Sequence, residues 1–121
     1  DLTKIERFFE TEIGKRCAEA SRLGLLEKEK PFTIIDVRED DRILVQGVID
    51  CWFREGDGSV LIDYKSSRLR GMSDEKIAPM MRETYWTQIS IYRRAIEEAG
   101  YGPVKEACIY MFDNGRLISM M

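Results

Sequence analysis

Residues 43–65, ILVQGVIDCWFREGDGSVLIDYK, decide the reading of this chain. Apolar and β-branched residues fill both ends, and Glu55-Gly56-Asp57-Gly58 interrupts them as a tight connection, so the stretch predicts a β-hairpin. The first strand, 43–54, has Ile43, Val45, Gly47, Ile49, Cys51 and Phe53 on one alternating face; Asp50 interrupts the other. In the second, 59–65, Leu61, Asp63 and Lys65 share one face and Val60, Ile62 and Tyr64 the opposite one. With Arg54 facing Ser59, Asp50 falls opposite Asp63; a loop one residue shorter would put them on different faces. Cross-strand neighbours have Cβ atoms roughly 4.5–5.5 Å apart, so two carboxylates there repel unless a cation sits between them. Lys65 supplies one positive charge but cannot satisfy both acids. A divalent cation can. Hard carboxylate oxygens suit Mg2+ or Mn2+, and a lysine beside such a site suits phosphodiester hydrolysis. Ordinary strand salt bridges are the plainer account of any two acids; the Gly-Val-Ile-Asp and Asp-Tyr-Lys pattern favours the metal pair.

The rest of the chain frames this hairpin. Residues 2–26 carry apolar positions at helical spacing, with Thr3 as N-cap and Glu6 as its capping-box partner. A strand is expected over 32–38 after Gly24 and Pro31, with Asp40-Asp41 turning into the hairpin. Beyond it come a short helical turn near 74–78, a helix from about Met81 to Ala99 closed by Gly100, a strand over 104–112 and one over 116–120. Asn114-Gly115 reads as a type I′ turn between the last two. The order α-β-β-β-α-β-β implies one α/β domain around a mixed β-sheet flanked by helices, spanning residues 1–121.

Composition narrows the chemistry. The 121 residues contain no histidine, which removes serine–histidine triads and most zinc hydrolases. Three separated cysteines, Cys17, Cys51 and Cys108, argue against a disulfide framework or a metal–thiolate site and suit reduced thiols. No apolar run approaches the ~20 residues of a membrane helix. The net charge is −3, but residues 64–94 hold 7 basic against 3 acidic side chains, a zone suited to phosphate contacts. No Gly-x-x-x-x-Gly-Lys phosphate loop occurs.

Val45-Gln46-Gly47-Val48-Ile49-Asp50 followed by Ile62-Asp63-Tyr64-Lys65 resembles the PD-(D/E)XK nucleases, in the branch of the RecB and AddA helicase–nucleases. Tyr85-Trp86-Thr87-Gln88-Ile89-Ser90-Ile91-Tyr92 is similar to that branch's Gln-x-x-x-Tyr helix. Glu29-Lys30-Pro31-Phe32, Lys65-Ser66-Ser67-Arg68 and Pro103-Val104-Lys105-Glu106 also sit where AddA-type sequences have similar stretches, so the likeness runs from Phe8 to Gly115. It implies a restriction-endonuclease-like core and a metal-dependent DNA nuclease of exonuclease type. This would be the C-terminal nuclease domain of an AddA-like subunit, working with a second, AddB-like one in double-strand-break repair in the bacterial cytoplasm. ATP is implied only for the parent's helicase domains.

Carried over by residue, the resemblance makes Asp50, Asp63 and the backbone carbonyl of Tyr64 ligands of Mg2+ or Mn2+. Lys65 becomes the catalytic lysine, and Gln88 and Tyr92, one helical turn apart, point to the site. Glu29 is a candidate supporting acid, and Arg68, Arg70, Arg93 and Arg94 are candidates for DNA phosphate contacts. The likeness departs at one point: AddA-type nucleases carry a metal-binding histidine upstream, so the chain is expected to be a segment cut downstream of it. The partner subunit's four-cysteine cluster is absent too, which favours the AddA side. The alternative reading is a nuclease-like module kept for DNA binding or subunit contact without catalysis.

Overall fold

Why the first 26 residues do not form one helix is visible at Thr11. Its hydroxyl accepts the N–H of Gly14 at 3.0 Å and donates to the carbonyl of Phe8 at 2.5 Å. This N-cap bends the chain into two helices, α1 (Leu2–Glu10) and α2 (Glu12–Arg22). Gly14 permits the elbow, since a Cβ there would lie 1.9 Å from the Phe8 oxygen. The cap that matters is therefore Thr11, where helical periodicity alone runs through to residue 26. The computed structural model describes residues 2–66 and 71–121.

Five strands follow the expected order around a third helix: β1 (Leu26–Arg38), β2 (Asp41–Glu55), β3 (Gly58–Lys65), α3 (Asp74–Glu98), β4 (Val104–Met111) and β5 (Arg116–Ser119). They form one sheet in the order β1-β2-β3-β4-β5. All pairs are antiparallel except β3–β4, which α3 joins as a parallel crossover. The mixed α/β core expected from the sequence is thus present.

Three boundaries move for physical reasons. Strand β1 starts at Leu26, not at residue 32, because Pro31 lies on a sheet edge, where a missing donor is tolerated. The short turn at 74–78 and the following helix are one helix, with Pro79 inside it. Burial of Ile77 and Met81 on either side of the proline outweighs the lost hydrogen bond. The β4–β5 connection is a four-residue loop closed by Gly115 N–H to Met111 O at 2.8 Å. Gly115 alone takes positive φ there, so Asn114-Gly115 is not a type I′ turn.

The β2–β3 hairpin is tighter than its polar quartet suggests, since Glu55 pairs with Gly58, but its register is the expected one, with Arg54 opposite Ser59. One feature of β2 departs from simple alternation. Ile49 and Val45 pack on the α3 side, whereas Cys51 and Phe53 pack with α1 and α2 on the other side. The apolar row therefore changes sides at Asp50, and the β1 residue between Lys28 and Lys30 in the ladder, Glu29, takes a left-handed φ of 48°. Among the thiols, Cys17 and Cys51 are neighbours in the α1/α2-side core, their sulfurs 3.8 Å apart; all three cysteines are free and buried.

Candidate active site

The C-terminal end of β3 delivers Asp63 and Lys65 to the α3 side of the central strand, while Tyr64 turns to the aromatic cluster of Phe8 and Phe112. Beside it, the β2–β3 ladder stops after Cys51 and Ile62. The strands part there because a side chain replaces the next carbonyl: Asp50 Oδ2 accepts the Tyr64 N–H at 3.0 Å. This bond holds Asp50 next to Asp63, as the register requires.

Asp63 is 2% exposed. Burial pushes its carboxyl up to about 6; Lys65 works against the shift, and the Asp50 charge adds to it. Its Oδ2 faces Lys65 Nζ at 2.9 Å as an ion pair, but without the directed geometry of a hydrogen bond. Asp63 thus has one ammonium against it and a second carboxylate nearby.

Helix α3 closes the site from above. Lys65 Nζ donates to Gln88 Oε1 at 3.0 Å, and Gln88 Nε2 donates to the Tyr92 hydroxyl at 3.0 Å. The ring of Phe32 on β1 meets Tyr92 edge-on, with centroids 5.6 Å apart. Phe32 reaches that position over Gly47, where a Cβ would lie 2.8 Å from the ring. The sequence therefore brings Asp50, Asp63, Lys65, Gln88 and Tyr92 into one continuous set of contacts. A residue it did not single out joins them: the Tyr85 ring centroid lies 4.2 Å from Lys65 Nζ. The signal was present, because residues three apart on a helix share a face and Tyr85 precedes Gln88 by three.

The remaining candidates separate. Glu29 is exposed and lines a hollow of about 500 Å³ together with Lys28, Asp50, Phe9 and Tyr64, so it borders Asp50. Among the described residues, no third acid, cysteine or histidine joins the two aspartates closely enough to form a ready-made metal cluster. Arg94 is committed to a structural contact, since it pairs with Asp36 at 2.9 Å and donates to the carbonyl of Ile35. Arg68 and Arg70 lie outside the described residues.

Known proteins carry the same stretch. The chain is 42% identical over 120 residues to an ATP-dependent helicase/nuclease subunit of Anoxybacillus flavithermus. It is 37% identical over 132 aligned residues to the subunit of the same name in Bacillus cytotoxicus. The chain is thus a relative of one segment of these AddA-like subunits. Nearly all of it aligns, 99% and 98%, whereas it spans 10% of the length of these relatives. No family model matches the chain. Among solved structures, that titled "Crystal structure of SSO0001" superposes with a TM-score of 0.56 at 16% identity, covering 89% of this chain and 46% of that one, a likeness of fold.

The AddA-like chain's own donor set fits a hard divalent cation. Asp63 offers a buried carboxylate whose Oδ2 meets the Lys65 ammonium without well-directed geometry, and Asp50 stands beside it. Because the N–H and C=O of one strand residue point to the same edge, the Tyr64 carbonyl lies on the Asp50 side of β3. Two carboxylates and one carbonyl leave several positions for water, the pattern Mg2+ prefers.

Proposed function

We propose that this domain hydrolyses DNA phosphodiester bonds with the help of Mg2+ or Mn2+, as the nuclease domain of an AddA-like helicase–nuclease. The observation that carries the reading is the buried Asp63 carboxylate, crowded by Asp50 and, among the described residues, balanced by a lysine that α3 holds in place. Burying a carboxylate beside another one costs stability, and a fold keeps such a pair when it serves chemistry.

In this reading Asp50, Asp63 and the Tyr64 carbonyl hold the cation. When bound, the ion supplies Lewis acidity toward a phosphoryl oxygen and offsets the charge of the acids. Lys65 has three N–H donors; among the described residues Asp63 and Gln88 face it, which leaves a further donor for a phosphate oxygen or the attacking water. Its charge stabilises negative charge developing on the phosphoryl group. Gln88 fixes the ammonium, and Tyr92 fixes Gln88. The names of the relatives support a role in an ATP-dependent helicase–nuclease, which we extend to exonuclease-type processing of broken DNA ends, with an AddB-like second subunit and ATP used by the parent's motor. No helix among the described residues is long and apolar enough to cross a membrane, and we place the activity in the bacterial cytoplasm.

The test is cleavage of linear DNA by the full-length protein with Mg2+ or Mn2+, against EDTA and against Asp63→Ala and Lys65→Ala. Each change is expected to lower the rate at least ~100-fold, the scale of a lost charge-stabilising group. Full cleavage by both variants overturns the assignment.

A further inference from the structure

We infer that Tyr85 is a positioning residue for Lys65: its ring face holds the ammonium in place when the charge of Asp63 is committed elsewhere. The inference rests on the nuclease reading for its purpose and on geometry for its content. Lysine ends in a compact charge on a flexible four-carbon stem, so its position depends on what surrounds the nitrogen. Among the described residues, three groups do so here. Asp63 Oδ2 lies at 2.9 Å, Gln88 Oε1 at 3.0 Å and the Tyr85 ring centroid at 4.2 Å.

These contacts are not equivalent. The pairing with Asp63 is an ion pair that weakens as soon as a cation neutralises that carboxylate, which is when the reaction needs the lysine in place. Gln88 then supplies one neutral hydrogen bond. The Tyr85 quadrupole attracts the charge without a lone pair, so it restrains the nitrogen and leaves donors for substrate. Burial strengthens this attraction: the Lys65 side chain is 17% exposed, and Tyr85 is half-buried against the α3-side core. The ring is placed by the same helix that carries Gln88 and Tyr92, so one rigid element presents all three groups to β3. A second cation–ring contact, Arg54 over Tyr101, is looser at 5.6 Å, and the Tyr101 ring packs on Trp52, away from the two aspartates.

Two measurements test this. In the 121-residue protein with 13C-labelled lysine, the ε-methylene protons of Lys65 should show an upfield ring-current shift that survives Tyr85→Phe and disappears in Tyr85→Leu. A shift unchanged in Tyr85→Leu overturns the contact. In the full-length protein, Tyr85→Phe keeps the ring face and should cleave DNA like the wild type. Successively fluorinated phenylalanines, which keep the shape but drain the ring face, should lower kcat stepwise to a total of about tenfold with KM unchanged. A flat series, or a loss already complete at Phe, overturns the positioning role. Lys65→Ala separates the two readings: full cleavage without the lysine removes the nuclease role given to Lys65, while the ring-current measurement still decides whether Tyr85 holds it.

Discussion

Asp50 on β2 accepts the main-chain N–H of Tyr64 on β3 at 3.0 Å, directly beyond the last paired residues of the two strands. One carboxylate therefore ends a ladder and starts a site. Without the acceptor the Tyr64 N–H is left without its partner, and the strands part with nothing to fix the gap.

Replacing Asp50 by Ala should cost about 1–3 kcal/mol of stability, the penalty for orphaning a part-buried donor, whereas Asp50→Asn keeps an acceptor and should cost under about 1. The measurement belongs at pH 5 without metal. There Asp63 is mostly protonated, so relief of repulsion between the acids does not mask the lost bond. Urea unfolding that gives Asp50→Ala the wild-type midpoint would contradict the bridging role.

Asp63 sets a pH dependence of its own. An aspartate titrates near 4 in an unfolded chain, and in the fold this one is pushed up to about 6. The native state therefore binds more protons than the unfolded state between about pH 4 and 6, and stability falls as pH rises through that window. The size is on the order of 2–3 kcal/mol. Glu55, drawn down to about 2 by Arg16, acts in the opposite sense but below pH 4.5. Asp63→Asn should abolish the fall and leave the metal-free protein more stable than wild type at pH 8; Mn2+ should stabilise wild type there and not the variant. A wild-type melting temperature that is flat from pH 4 to 7 would exclude the crowded-carboxylate account.

Gln88 and Tyr92 are in contact but should behave differently. Gln88→Leu removes the acceptor from Lys65 and should lower kcat about 10–100-fold while costing little stability, since Gln88 is only half-buried. Tyr92→Phe loses one hydrogen bond to Gln88 but keeps its edge contact with Phe32, so it should cost about 0.5–1.5 kcal/mol and less than ~5-fold in rate. Steady-state cleavage and thermal unfolding of the pair check the contrast; equal rate losses would remove Gln88 from its special place.

What the sequence made legible follows from which forces are local. The hairpin register could be read because strand alternation and one turn fix it, and with it came the Asp50–Asp63 neighbourhood. Gln88 and Tyr92 came from the family resemblance, with helical spacing placing them on one face, and the same spacing reaches Tyr85. The Thr11 elbow was hidden because apolar spacing continues across it, and the break comes from the Thr11 cap, which the missing side chain of Gly14 permits. The side change at Asp50 was hidden as well. It depends on Glu29 of a neighbouring strand taking a left-handed conformation and on β2 leaving β3, neither of which leaves a periodic trace in β2 itself.

Gly47 offers the most remote test of the site. Its missing side chain lets the Phe32 ring lie over β2, and that ring buttresses Tyr92, which holds Gln88. Gly47→Ala would place a Cβ 2.8 Å from Phe32 Cε1, so the ring must move. The expected cost is about 1–3 kcal/mol from overpacking, with a fall in cleavage rate smaller than that of Gln88→Leu. Phe32→Leu alone should cost a similar amount by loss of the edge contact. Together the two should be less damaging than their sum, by about 0.5–2 kcal/mol, because the smaller side chain makes room for the new methyl group. A double-mutant cycle by chemical denaturation reads this coupling directly; strict additivity would mean that Gly47 is needed for its backbone and not for the approach of Phe32.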